Sequence, residues 1–240
     1  MGIGTEQVEE VLHTNYPEAR IIRMDNDTTR KKGNHERLLY EFETNGDILL
    51  GTQMIAKGLD FADVTLVGIL CADLSLKIPD FRAKEKTFQL ITQVSGRAGR
   101  GDKEGLVVIQ TYNKDHYAIK HAINQDYDSF FNQEMKIRKL AKYIPFYNIT
   151  QIEFRHQDYA KCFLYAEEVK LKLKKMFDKE EVIILGPVSP VVRRVNDKFI
   201  VRILVKYKVL PKLDETLKEL YTEYTDKDVL ISIDRFPTSY

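Results

Sequence analysis

Short apolar runs alternate with helix-forming segments through the first half of the chain, and this order restricts the fold more than any other feature. Near-continuous apolar runs over 48–50 and 64–72 are typical of strands buried on both faces of a parallel sheet. Such alternation predicts a doubly wound α/β lobe, in which ligands bind at the carboxyl ends of the strands. The other predicted elements are strands over 20–25 and 105–111 and helices over 5–14, where Thr5 is a candidate cap, 31–44 and 83–94.

The pattern changes after two helices predicted between 114 and 143. Pro145 closes this region, and the residues from Asn148 to His156 then alternate in polarity, which predicts a half-exposed strand. The order βαββαβ predicts a split βαβ sandwich with both helices on one sheet face. The change of pattern at Pro145 predicts two domains, of residues 1–145 and 146–240. The later elements are a helix (158–177), a strand (182–185), a Gly-Pro-Val-Ser-Pro loop, a strand (198–208), a helix (211–224) and a strand (229–234).

Two guanidinium groups lie beside two glycines in the stretch that begins at Gln93. Arg97 and Arg100 are three residues apart, so on a helical turn both can converge on one polyanion. The planar fork of arginine suits phosphate oxygens, and glycines such as Gly96 let a ligand approach the backbone closely. Taken alone, the stretch is equally typical of a solvated basic helix end.

A second motif precedes the arginine stretch. An apolar strand enters a Gly-Thr-Gln turn at 51–53, and a short helix leads to Lys-Gly-Leu-Asp at 57–60. The two motifs resemble motifs V and VI of superfamily 2 helicases. With Gly-Thr-Glu-Gln at 4–7 and Asp-Thr-Thr at 27–29, the whole chain is similar to the PriA family of primosomal replication-restart DNA helicases (primosomal protein N′).

This resemblance implies a RecA-like helicase C-terminal lobe, which supplies arginine fingers to an ATP held by the first lobe. Arg97 and Arg100 would be those fingers, and Gln93 would bridge them to the nucleotide. The nucleotide-binding residues implied are Gly58, Asp60 and Gly96. Asp60 would contact the ribose, and the structural alternative is that it caps a helix.

The resemblance also implies DNA contacts at Gly51, Thr52 and Gln53. Main-chain N–H groups and the hydroxyl would meet the backbone of the tracked strand. Thr52 as an ordinary turn residue is the structural alternative.

One side of the strand over 198–208 is basic, and it carries Arg202, Lys206 and Lys208. Arg194 lies in the preceding hairpin arm beside Arg193. A cationic strip across an open sheet face predicts phosphate binding. The alternative is a solvated face whose charges prevent aggregation.

Aromatic residues cluster at the predicted domain junction. This pattern favours core and interdomain packing, with stacking on exposed bases as the alternative. The cluster comprises Phe130, Phe131, Tyr143, Phe146 and Tyr147.

For the complete protein, the family implies an ATP-dependent helicase that moves 3′ to 5′. It recognises stalled or repaired forks and restarts replication by primosome assembly. The implied partners are forked and single-stranded DNA, single-stranded-DNA-binding protein, and primosome and helicase-loading proteins. ATP and Mg would be bound mainly by the first lobe. The family carries paired zinc-binding cysteines just upstream of the point where this chain begins. Their absence, with a Met directly before the family pattern, suggests an engineered C-terminal fragment.

The chain lacks the signature of the first lobe. A P-loop needs Gly-Lys followed by Ser or Thr, and no glycine here precedes lysine. Asp214-Glu215 follows Pro211 at a predicted helix start, so it does not resemble a magnesium-binding motif. We therefore expect no ATP hydrolysis by this chain alone. Two alternatives stay open: a non-catalytic module that binds branched DNA or docks single-stranded-DNA-binding protein, and a translocase lobe of another superfamily 2 family.

Composition excludes further classes. Lys and Arg (37) balance Asp and Glu (36), so nucleic-acid sites must be local patches. No membrane-length apolar run or signal peptide is present, which favours the cytoplasm. Cys71 and Cys162 indicate neither a disulfide framework nor a zinc cluster, and we expect both to be buried thiols. The histidines lack metal-binding spacing, so no metal site is predicted.

Overall fold

The computed structural model describes residues 4–31, 33–53, 55, 61, 63–96, 105–225 and 227–237. The chain divides into two compact units. Unit 1 comprises Met1–Ile78 and Arg82–Phe131, and unit 2 comprises Pro79–Phe81 and Asn132–Tyr240. The division between 131 and 132 lies N-terminal to the boundary predicted at 145.

Unit 1 is a mixture of helices and parallel strand pairs. Strand β1 pairs with β2, and β3 pairs with β4, both in parallel. The predicted alternation of strands and helices is present. The elements are α1 (Thr5–Asn15), β1 (Ile21–Met24), α2 (Asn34–Asn45), β2 (Ile48–Gly51), β3 (Leu66–Ile69), α3 (Asp73–Leu76), α4 (Ala83–Ser95), β4 (Leu106–Ile109), α5 (Tyr117–Ile123) and α6 (Tyr127–Leu140), which continues into unit 2.

Two apolar clusters hold these elements. Helices α4 and α5 supply Phe88, Ile91 and Ile119 to one cluster, against which Ile69 of β3 and Ile109 of β4 pack. Ile22, Met24 and Leu38 form the other, between β1 and α2.

The expectation that the apolar strands are buried on both faces is wrong for β3 and β4. Their residues alternate between exposed and half-buried, and the paired Leu66 and Leu106 are 60% and 61% exposed. A short apolar run is compatible with either one or two covered faces, so the sequence pattern could not distinguish them.

Thr5 does not cap α1. The N-cap is Gly4, which makes no side-chain cap. Thr5 Oγ1 instead donates a hydrogen bond to Asp25 Oδ2 at 2.7 Å, which ties α1 to the end of β1.

Unit 2 contains an antiparallel sheet in the order β6-β8-β5-β9, with the short β7 paired to β8. All neighbouring strands in it are antiparallel. The elements are β5 (Asn148–His156), α7 (Tyr159–Met176), β6 (Val182–Val188), β7 (Arg194–Val195), β8 (Lys198–Tyr207), α8 (Pro211–Thr225) and β9 (Leu230–Arg235).

One face of this sheet packs against α7 and α8 in the largest core of the chain. Ile152 and Ile203, from the central strands β5 and β8, lie in this core with Leu173 of α7 and Leu217 of α8. Asp158 caps α7 by accepting hydrogen bonds from Ala160 N and Lys161 N. Both helices therefore stabilise the sheet from the same side.

Two predictions for unit 2 are wrong. The stretch from Gly186 to Val188, predicted as a loop, belongs to β6, where the pairing with β8 shifts register. Gly186 allows this because its φ is +98° and a Cβ would lie 2.7 Å from Arg202 O. Strand β5 is not half-exposed: Gln151 and Glu153, expected to face solvent, are 7% and 4% exposed.

Candidate nucleotide and nucleic-acid interface

The Gly-Thr-Gln turn follows a very close approach between two parallel strands. Gly51 pairs with Met24 at the carboxyl end of β2, and a Cβ on Gly51 would lie 2.3 Å from Met24 O and 2.8 Å from Ile55 Cγ2. Only glycine fits that space. Thr52 and Gln53 are exposed directly after it, and Thr52 O accepts a hydrogen bond from Ile55 N at 3.1 Å. Both lie at the carboxyl edge of the sheet, as predicted.

A hydrogen-bonded acidic turn lies at the same edge, after β1. Asp25 Oδ1 accepts hydrogen bonds from the backbone N–H groups of Asp27 and Thr28, both at 3.0 Å, and Arg23 Nε lies 3.2 Å from Oδ2. Burial by itself raises the pKa of Asp25, but the hydrogen bonds from Thr5 and Thr28 and the charge of Arg23 lower it overall. These contacts tie the turn to the end of β1, at the same edge of the sheet as Gly51.

Helix α4 carries the start of the arginine stretch. Gln93 is exposed on the last turn of α4, and Gly96 is the C-cap, with its N–H bonded to Thr92 O. Thr92 Oγ1 is buried without a hydrogen-bond partner among the described residues. Four predicted site residues, Gly58, Asp60, Arg97 and Arg100, lie outside the described residues.

The basic side chains of β8 do not form one exposed strip. Arg202 Nε donates a hydrogen bond to Glu153 Oε2 at 2.7 Å, and Arg155 Nε donates to Glu153 Oε1 at 2.6 Å. Arg202 is thereby paired with a buried carboxylate, and its side chain is only 22% exposed.

Lys206 is buried, at 5% exposure. Its Nζ donates a hydrogen bond to Ala141 O at 3.0 Å and lies 3.4 Å from the centroid of the Tyr143 ring. Burial first, and then the charge of Lys142, lower the pKa of Lys206. The segment after α6 thus covers the sheet face that was expected to be open.

The exposed basic groups lie at the two ends of the predicted strip. Arg194 is 55% exposed and 3.2 Å from Asp197, and Lys208 is exposed just after β8. The expectation of one continuous exposed strip is wrong, whereas DNA contact by Arg194, Arg202, Lys206 and Lys208 stays a prediction.

A basic residue that sequence reasoning did not select lies next to Lys208. The ammonium groups of Lys142 and Lys208 are each 5.7 Å from the centroid of the Tyr147 ring. Tyr147 had been noted only as a member of an aromatic cluster. The Lys-Tyr pair at 142–143 and the Tyr-Asn pair at 147–148 indicate this grouping only weakly in the sequence, because no periodic pattern relates them to Lys208.

Neither cysteine belongs to a candidate site. Cys162 is buried and its Sγ donates to Phe154 O at 3.2 Å, and burial raises the pKa of its thiol to about 11. Cys71 is half-buried, so the expectation that both thiols are buried is wrong for it. In the described ranges, no three His, Cys, Asp or Glu side chains are grouped to hold a metal. None of the described helices is both long and apolar enough to cross a membrane.

Two family matches cover most of the chain. Residues 4–102 match the family described as "Helicase conserved C-terminal domain". Residues 139–238 match "Primosomal protein N C-terminal domain". Among solved structures, the de novo designed protein Foldit4 covers 38% of this chain with a TM-score of 0.31 and 13% identity, a similarity that carries no argument.

Curated relatives share the chain over nearly its whole length. Replication restart protein PriA of Bacillus subtilis is 48% identical over 98% of this chain and 30% of its own length. The proteins of the same name from Chlamydia pneumoniae and Synechocystis are 43% and 36% identical over 85% and 99% of this chain, but over only 27% and 28% of their own lengths. The chain carries a helicase conserved C-terminal domain followed by a primosomal protein N C-terminal domain, and it belongs to the PriA family of replication restart proteins.

Proposed function

We propose that this chain forms the C-terminal part of an ATP-dependent DNA helicase of superfamily 2. The enzyme moves 3′ to 5′, recognises stalled or repaired forks and restarts replication by primosome assembly. The observation that carries the proposal is the succession, in one chain, of the helicase domain at 4–102 and the primosomal protein N domain at 139–238. Unit 2, with β8 between β6 and β5, is then a split βαβ sandwich.

The described geometry supports the nucleic-acid part of this proposal. The bare Cα of Gly51 brings the two strand ends together, and exposed Thr52 and Gln53 follow at the edge where ligands of parallel α/β sheets bind. Their main-chain N–H groups and the Thr52 hydroxyl are donors of the kind that hold a phosphodiester backbone.

The nucleotide would be shared with another lobe. ATP and Mg supply the phosphoryl transfer that drives translocation, and exposed Gln93 and Gly96 at the end of α4 fit the nucleotide edge of this lobe. Arg97 and Arg100 act as arginine fingers, which neutralise the charge that develops on the γ-phosphate. Gly58 and Asp60 couple DNA contact to the nucleotide. The proposed partners are forked and single-stranded DNA, single-stranded-DNA-binding protein and helicase-loading proteins.

A chimera tests the proposal. The stretch of Bacillus subtilis PriA that this chain matches is replaced by this chain, and ATP hydrolysis and fork unwinding are measured with and without DNA. We expect DNA-stimulated hydrolysis and unwinding by the chimera, and no hydrolysis by the 240-residue chain alone, which has no Gly-Lys of a P-loop. A folded chimera without either activity, or turnover by the chain alone, would contradict the proposal.

A further inference from the structure

We propose that Lys142, Lys208 and Tyr147 form a binding site for single-stranded nucleic acid at one end of the unit 2 sheet, with the two lysines on neighbouring phosphates and the tyrosine against a base. This inference rests on the proposed function, because it locates a DNA contact of the same protein at residues outside the helicase motifs.

Hydrogen bonds to backbone carbonyls fix the two sides of the site. Tyr143 N donates to Arg138 O at 2.8 Å and Tyr147 N to Tyr143 O at 3.2 Å, which closes the turn that follows α6. On the other side, Asn148 Nδ2 donates to Lys208 O, just after β8. Tyr147 and Lys208 are therefore held beside each other by adjacent strands.

Lys142 lies just after the C-terminal end of α6. Its φ is 54°, in the left-handed region that favours glycine. Many α-helices end with a residue in this conformation, and the hydrogen bond from Tyr143 N to Arg138 O belongs to such an end. This helix end places the exposed charge of Lys142 next to Tyr147.

The lysine charges are not neutralised within the described part of the chain. Among the ion pairs between described residues, none joins a carboxylate to Lys142, Lys206 or Lys208. Arg194 and Arg202, by contrast, have carboxylate partners 3.2 and 2.7 Å away. Lys142 is close enough to Lys206 for its charge to disfavour protonation there. An accumulation of like charge is relieved when a polyanion binds.

The spacing of the two lysines suits neighbouring phosphates of one nucleic-acid strand. Both ammonium groups lie 5.7 Å from one ring centroid, so they are no farther apart than twice that distance. One strand of DNA presents a phosphate about every 3.4 Å along a duplex axis, so neighbouring phosphates can meet both lysines. The half-buried Tyr147 ring beside both lysines adds an aromatic surface for a base. The combination of cationic groups with an aromatic ring is typical of single-strand binding and favours a nucleic acid over an acidic peptide.

The test measures binding of labelled oligothymidylate to the 240-residue chain across a salt series. The variant Lys142→Gly/Lys208→Ala removes both charges and relaxes the backbone at 142. The matched control, Lys174→Ala/Lys175→Ala, removes two exposed charges at the end of α7. We expect the first variant to bind roughly ten-fold more weakly, with a log–log salt slope reduced by about 1.4, and the control to bind like the wild type.

The role of Tyr147 and the class of ligand are tested in separate experiments. Tyr147→Phe should retain affinity and Tyr147→Ala should lose about five-fold or more, but only with oligothymidylate and not with an abasic oligomer of equal charge. Equal losses in the two lysine variants, or tighter binding of a polyaspartate peptide than of the oligomer, would overturn the site. Since the chimera experiment measures ATP turnover, this site can fail while the proposed function stands.

Discussion

Glu153 Oε2 accepts a hydrogen bond from Arg202 Nε at 2.7 Å across the paired strands β5 and β8. Glu153 is 4% exposed, and its other oxygen accepts from Arg155. Arg202 is therefore a structural contact of the sheet, and the DNA contact predicted for it stays a prediction.

Removing the charge of Glu153 is expected to destabilise unit 2. Glu153→Gln leaves Arg202 in a mostly buried position without its carboxylate, and we expect the free energy of unfolding in urea to fall by about 2–3 kcal/mol. The double variant Glu153→Gln/Arg202→Met should recover most of that loss. The exposed pair of Arg194 and Asp197 is the control, because Asp197→Asn should change nothing measurable. An equally stable Glu153→Gln would contradict the role of the pair.

Gly51→Ala is expected to destabilise unit 1. The added Cβ would lie 2.3 Å from Met24 O, so the strands must separate, at a cost of about 1–3 kcal/mol. Gly68, on the other parallel strand pair of unit 1, is the matched control because a Cβ there meets no atom within 4 Å. Urea unfolding should show a lower midpoint for Gly51→Ala and not for Gly68→Ala; a similar midpoint in both would exclude the clash.

Lys206 makes stability depend on pH in the alkaline range. Its pKa is lowered in the folded state from an ordinary value of 10.5, so between the two values the unfolded chain binds more protons and stability rises with pH. Lys206→Met removes this contribution. Plotted from pH about 8 to 10, the difference in unfolding free energy between wild type and Lys206→Met should move in favour of the wild type. A difference that is independent of pH would show that Lys206 is not desolvated.

The two thiols should react at different rates. Cys162 is buried with a thiol pKa raised to about 11, whereas Cys71 is half-buried. At neutral pH a thiol reagent should label one cysteine of the native chain, and the second only after unfolding. Cys71→Ser should abolish the fast reaction, and persistence of fast labelling in that variant would refute the assignment.

Local sequence patterns predicted the positions of helices and strands better than the burial of their side chains by distant segments. The Asp158 cap begins α7 where the helix was predicted, and the alternation of β8 correctly separated Val201 and Ile203 from Arg202. Such features depend on neighbours in sequence. By contrast, the burial of Lys206 depends on the segment after α6, whose Ala141 carbonyl accepts a hydrogen bond from this lysine far along the chain.

In the candidate site, too, some positions follow from the local sequence and others depend on strand pairing. The position of Thr52 and Gln53 followed from strand order alone, because a turn after a parallel strand must lie at its carboxyl edge. The association of Lys142 with Lys208 could not be predicted, because it requires the register of Asn148 opposite Tyr207. From the sequence alone, without that register, one exposed basic strip is predicted for Arg194, Arg202, Lys206 and Lys208.

ATP turnover by the chimera with Bacillus subtilis PriA tests whether Arg97 and Arg100 act as the arginine fingers proposed above. Arg97→Ala and Arg100→Ala are compared with Arg37→Ala, an exposed arginine on α2. We expect DNA-stimulated hydrolysis to fall by about 10³- to 10⁵-fold in the first two variants, with DNA affinity largely retained, and to be unchanged in the third. Normal turnover combined with a loss of DNA affinity in Arg97→Ala or Arg100→Ala would contradict it.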